Sequence, residues 1–261
     1  MADPRQGHDR ASRGCDDRGA AGQWLVVAEH VGGVVGEPGA NAAMTAALDD
    51  ALNRLADDPE LRAGVLTGGP DIFCAGTDLA DGPGGPTPRG CSYGLIARRR
   101  TTPLIAAVEG PAYGGGFEIA MACDIIVAGR SARFALPEAT HGLVANCGAL
   151  FRGPRTLPPM VGRHLLLTGQ PMPAERLYAL GLVSELADDG RAEDAALALA
   201  DTISANSPAA VSATPKPSVT STSATTSWAG TPPATPTPRT ARAARKPRGL
   251  TAFREKREPR W

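Results

Sequence analysis

The 261-residue sequence predicts an α/β protein built around a parallel sheet. Three observations carry this. Helical spacing and short apolar runs alternate from residue 41 to residue 207, as βα units require. Two of the runs, LIAAV at 104–108 and IIVA at 125–128, are apolar at every position, which suits interior parallel strands buried on both faces. Glycine and proline clusters separate the runs from the helical stretches as turn signals.

The elements follow in order. Residues 1–40 read as an irregular N-terminal segment: a charged stretch, a short apolar run WLVVA at 24–28, then a glycine-rich stretch. Asn41 is a helix N-cap, and Met44, Ala47, Leu48, Ala51, Leu52 and Leu55 recur behind it at helical spacing until Pro59. AGVLT at 63–67 is a short buried strand closed by Gly68, Gly69 and Pro70. The segment 81–90, DGPGGPTPRG, is a loop. Behind the strand at 104–108 come a tight turn at 113–116, a helix over 117–123, the strand at 125–128 and a further strand over 133–136. Pro173 opens a helix that Gly181 ends, a strand follows over 182–186, and 191–206 is an Ala/Leu helix.

The C-terminal region changes character. From 215 to 240, 18 of 26 residues are Pro, Ser or Thr, too polar to offset the entropy of ordering. The domain reading is therefore an irregular segment over 1–40, a catalytic core over 41–210, a low-complexity and disordered segment over 211–249, and a distinct end over 250–261.

Composition excludes several classes. Lys plus Arg and Asp plus Glu both number 27, so zero net charge argues against nucleic acid as the main partner. No apolar run approaches the ~18 residues of a membrane span, and the polar first 18 residues hold no signal-peptide core. Five scattered cysteines without a CxxC predict reduced thiols, a cytoplasmic location and no zinc site.

The strongest chemical constellation is Gly114-Gly115-Gly116-Phe117-Glu118, followed twenty residues later by Pro137-Glu138. A glycine turn entering a helix leaves backbone N–H groups pointing outward at the positive end of the helix dipole. Such a group can hold an oxyanion, and two carboxylates beside it supply an acid and a base. Spacing alone does not bring Glu138 to Glu118; helix-end charge complementation and a solvent-facing strand end remain the plain alternatives. Residues 73–79 form a small-residue turn that presents a second amide, from Thr77. A competing motif, Gly90-Cys91-Ser92-Tyr93-Gly94, matches the G-x-S-x-G nucleophile elbow, with Glu118 or Glu138 and His141 or His164 as formal triad partners. The elbow needs a strand directly before the serine, and a proline-rich loop stands there instead.

Taken together, IFCAGTDL (72–79), TTPLIAAVEGPAYGGGFEIAMACDIIVAG (101–129), ARFALPEATHGLV (132–144) and LLLTGQPMPAERLYALGLV (165–183) resemble the crotonase (enoyl-CoA hydratase/isomerase) superfamily. ANSP (205–208) and LTAFREKREPRW (250–261) fit the same family. RTLPP (155–159) and the terminal residues look most like its carnitinyl-CoA dehydratase-type hydratases. The resemblance implies a crotonase-like fold of repeated ββα units. It implies an oxyanion hole from the Thr77 and Gly115 amides, with Ala75 and Asp78 in the same substrate-binding turn. Glu118 and Glu138 fall at the two hydratase glutamates. The implied activity is an enoyl-CoA hydratase-like lyase acting on an acyl-CoA thioester, with no cofactor beyond the CoA of the substrate, no metal, and a trimeric or hexameric assembly.

Two departures keep alternatives open. VGGVVGEPGA (31–40) lacks the family's usual nucleotide-side loop, and the Pro/Ser/Thr zone stands where the family places helices. A shifted reading frame in a GC-rich gene, over about 213–248 and extending to 1–40, would account for these departures, and the coding DNA tests it. The alternatives are a catalytically impaired or non-catalytic crotonase-fold protein, and another activity of the superfamily, such as isomerisation or thioester hydrolysis.

Overall fold

The computed structural model describes residues 24–28, 39–79, 82–214, 255 and 257. The expectations for 1–23, 29–38 and 215–254, including disorder over 215–249, lie outside the described residues, whereas the start of the low-complexity segment expected from 211 is helical through Ala213.

Within the N-terminal segment the apolar run forms a strand, β1 (Trp24–Ala28), at one edge of the main sheet. Asn41 caps α1 (Ala42–Asp57), its side chain accepting the Met44 amide at 3.0 Å. There follow β2 (Ala63–Thr67), β3 (Leu104–Val108), β4 (Pro111–Tyr113), α2 (Gly115–Ala122), β5 (Ile125–Gly129) and β6 (Arg133–Ala135). The chain continues through α3 (Ala149–Thr156), α4 (Pro159–Thr168), β7 (Met172–Pro173), α5 (Ala174–Ala179), β8 (Glu185–Ala187), α6 (Ala192–Ser204) and α7 (Pro208–Ala213).

The main sheet has the order β1-β2-β3-β5-β8, every neighbouring pair parallel. The interior strands are buried on both faces, as the unbroken apolar runs predict. Val65, Ile105 and Val127 face α6, which meets them with Ala192, Ala196 and Ala200, one small-residue stripe at four-residue spacing. Leu66, Ala106, Val108 and Ile126 face the larger core with Leu48, Leu52 and Leu55 of α1 and Phe117 and Ile119 of α2. A second, three-stranded sheet, β4-β6-β7, stands at the ends of these strands.

Some boundaries differ from the sequence reading. The strand expected over 182–186 is Glu185–Ala187, because the Leu182 and Val183 amides both bond to Leu177 O and close the end of α5. The helix expected over 117–123 begins two residues earlier, at Gly115. Helices α3 and α4 were not anticipated: Pro154 lies inside one and Pro159 opens the other, so the sequence reads as broken where the chain is helical.

Candidate active site

Three short segments lie side by side and carry the site. Cys74 bridges Ala112 in parallel, and Ala112 pairs with Phe134 in the β4–β6 ladder. Each segment turns a few residues later: after Cys74 at Gly76-Thr77, after Ala112 at Gly114-Gly115, after Phe134 at Pro137-Glu138. Register therefore stacks three turns at one level. The Gly76 and Gly114 turns touch: a Cβ on Gly76 would stand 3.0 Å from Tyr113 O and 3.8 Å from Gly114 Cα. Gly114 takes φ +52 as the N-cap of α2, a conformation open to glycine, and donates its amide to Ala135 O at 2.9 Å. The Thr77 and Gly115 amides donate no hydrogen bond to the described residues. The geometry places two unused donors on adjacent turns, one of them at the first residue of a helix.

Glu118 lies in the first turn of α2 and is 2% exposed. Its Oε1 accepts the Ala149 amide at 3.0 Å, from the first residue of α3. Burial pushes its carboxyl up to about 8; the Ala149 bond opposes this, and the charge of nearby Glu138 adds to it. Glu138 was expected at a strand end. It sits instead in the first turn of a 3₁₀ segment (Pro137–His141), which the αL residue Gly142 ends. Its Oε1 would stand 3.1 Å from a Cβ on Gly114, and its Oε2 is buried without a partner. Burial raises this carboxyl as well. Two carboxyls that both resist ionisation thus flank two free amides, a set able to pass one proton while holding an oxyanion.

Of the remaining expected residues, Ala75 is exposed at the edge of its turn, and the Asp78 amide is bonded to Ala40 O at 2.9 Å. Asp78 therefore anchors the turn through its backbone. The serine-elbow reading meets no supporting geometry: Ser92 opens a 3₁₀ turn out of a loop, and the His141 ring bonds Pro137 O at 3.0 Å. Sequence reasoning missed Ala149, whose amide holds Glu118, and Tyr93, whose hydroxyl lies 2.5 Å from Thr77 Oγ1. It also missed Cys147, a half-buried thiol beside Tyr93 and both glutamates, which burial pushes up. Gly148, at φ +137 before α3, was a readable turn signal for the Ala149 contact; Tyr93 left none. Among the described residues, no group of three or more His, Cys, Asp or Glu is placed to hold a metal ion, and no helix is long and apolar enough to cross a membrane.

The site is thus a carboxyl pair set against two turn amides that donate no hydrogen bond to the described residues, at the edge of a parallel α/β core. The family described as Enoyl-CoA hydratase/isomerase matches residues 39–261, and the chain belongs to it. The chain is similar to enoyl-CoA hydratase EchA19 of Mycobacterium tuberculosis, with 44% identity over 173 residues, covering 62% of this chain and 65% of that protein. It is also similar to the carnitinyl-CoA dehydratase of Proteus mirabilis, with 37% identity over 174 residues, covering 64% and 66%. The chain thus spans just under two thirds of the length of these relatives. A carnitinyl-CoA hydratase structure from Mycobacterium avium superposes with a TM-score of 0.73 at 35% identity, covering 85% of this chain and 89% of that one.

Proposed function

We propose that this chain is an enoyl-CoA hydratase-like lyase, adding water across the α,β double bond of an acyl-CoA thioester or removing it. The observation that carries the reading is the pairing of Glu118, pushed up to about 8, with the buried, unpartnered Oε2 of Glu138 beside the Thr77 and Gly115 amides. In the hydration direction the thioester oxygen accepts from both amides, and they stabilise the negative charge it gains. One glutamate, ionised, takes a proton from water as the water oxygen bonds to Cβ. The other, protonated, gives its proton to Cα. The pair ends with the same single proton, exchanged between its members, and the reaction needs no cofactor beyond the CoA of its substrate. The relatives named as enoyl-CoA hydratase and carnitinyl-CoA dehydratase support the same chemistry.

The assembly we infer is a homotrimer or hexamer. Val144, Leu150, Met160, Leu167 and Tyr178, on and around α3 to α5, are large, apolar and exposed, which favours a partner surface there. Sedimentation measures the mass. The four free thiols among the described residues suit a reducing, cytoplasmic location.

Turnover of crotonyl-CoA, followed as loss of enoyl absorbance, tests the activity. Glu118→Gln and Glu138→Gln are each expected to lower the rate by roughly 10²–10⁴-fold, the usual contribution of a general acid or base. Full activity in both variants would refute the proposal, and so would a preparation in which Ser92→Ala alone abolished turnover.

A further inference from the structure

We propose that Tyr93 forms the wall at the acyl end of this site and restricts the substrate to short enoyl thioesters; the proposal rests on the hydratase reading above. Tyr93 has φ +53 and Cys91 has φ +56, the two non-glycine residues at positive φ among those described. A bulky side chain held there is strained and persists only where its surroundings force it, which points to a role for the side chain so held.

The surroundings do force it. Thr87 and Cys91 exchange backbone hydrogen bonds at 3.1 and 3.0 Å and close the loop. Thr87 Oγ1 donates to Asp49 Oδ1 of α1 at 2.6 Å. Arg98 pairs with the same carboxylate, donates to Asn53 Oδ1 at 2.8 Å, and donates through Nε to Gly94 O at 2.9 Å. Gly94 lies so close to α1 that a Cβ there would stand 2.9 Å from the Asp49 amide nitrogen. With both flanks fastened to α1, the Tyr93 side chain points inward and is 3% exposed.

Its hydroxyl ends at the site. It bonds Thr77 Oγ1 at 2.5 Å and stands 2.4 Å from where a Cβ on Gly115 would be. Those are the two residues whose amides are free. Burial, with the charges of Cys147 and Glu118 acting in the same direction, keeps the phenol neutral. The ring lies against the turns that carry Thr77 and Gly115, and Glu118 stands three residues along α2 from Gly115. An acyl chain whose carbonyl sits between the amides and whose double bond sits between the carboxyls runs toward this ring. A short chain such as crotonyl fits in front of it; an octenoyl tail meets it.

The experiment compares crotonyl-CoA with octenoyl-CoA in turnover, and butyryl-CoA with octanoyl-CoA in calorimetric binding, using the full chain, Tyr93→Gly and Tyr93→Phe. Glycine removes the ring and suits the positive φ; phenylalanine keeps the wall and loses the hydroxyl. The unaltered chain is expected to prefer the short member of each pair by at least about tenfold, the scale on which a pocket discriminates a single misfitted methylene. Tyr93→Gly is expected to erase that preference, and Tyr93→Phe to keep it. Equal binding of butyryl-CoA and octanoyl-CoA by the unaltered chain overturns the proposal even if Tyr93→Gly fails to fold. A preference that survives in folded Tyr93→Gly overturns it too. Normal crotonyl-CoA turnover in either case leaves the hydratase reading standing, whereas short-chain binding without any turnover defeats that reading and leaves the wall.

Discussion

Glu118 should make the protein less stable as pH rises, and replacing it should remove the effect. Its carboxyl titrates near 8 in the folded chain against an ordinary 4.5, because burial disfavours the charge. Below 4.5 both states hold the proton and no penalty exists. Between 4.5 and 8 the unfolded chain releases the proton while the folded chain keeps it, so unfolding becomes easier with each pH unit. At about 1.36 kcal/mol per unit the accumulated loss is about 5 kcal/mol by pH 8. Glu118→Gln has the shape of the protonated acid and can still accept the Ala149 amide, but it does not titrate. Urea unfolding of both proteins at pH 4.5, 6 and 8 gives the difference directly. The glutamine variant should gain several kcal/mol relative to the parent between the first and last pH, while losing activity, the usual cost of relieving a destabilised functional site. Stability curves that stay parallel within about 1 kcal/mol over this range would refute the argument that burial controls this carboxyl.

Other outcomes follow from the same geometry. The pH profile of kcat/KM should fall above about 8, as Glu118 loses its proton, and Glu118→Gln should abolish that alkaline limb together with most of the rate. Asp49→Ala should destabilise by about 3–5 kcal/mol in thermal unfolding, because it strands the buried Arg98 guanidinium, whose side chain is 2% exposed. Against burial, the Thr87 hydroxyl and Arg98 hold the Asp49 carboxyl below its ordinary 3.8, so its contribution is present above that pH and is lost as acid protonates it. Gly116→Ala would set a Cβ 2.5 Å from Cys74 O; chemical denaturation should show a loss of about 1–3 kcal/mol from overpacking between two of the stacked turns.

Much of the architecture was legible because it is written in local pattern. The Asn41 cap, the helical spacing behind it and the two-sided apolar runs predicted α1, β2, β3 and β5 near their observed ends. The residues of the glycine turn and both glutamates could be singled out from the sequence alone. Where elements were missed, as at α3 and α4, proline hid a helix whose stability comes from packing that local propensity does not report.

The site's geometry was of another kind. Glu138 lies twenty residues from Glu118, Ala149 thirty-one, and Tyr93 sixteen from the Thr77 hydroxyl it bonds. No spacing rule joins them. They meet because Cys74 bridges Ala112 and Ala112 pairs with Phe134, so strand register aligns three turns, and because an ion pair on α1 holds a strained loop against them. The sequence by itself determined the elements and the chemical groups, since periodicity and turn chemistry act over a few residues. Only the tertiary structure decided which groups share a proton and which ring stands in front of them, since register and burial are properties of segments brought together from far apart in the chain.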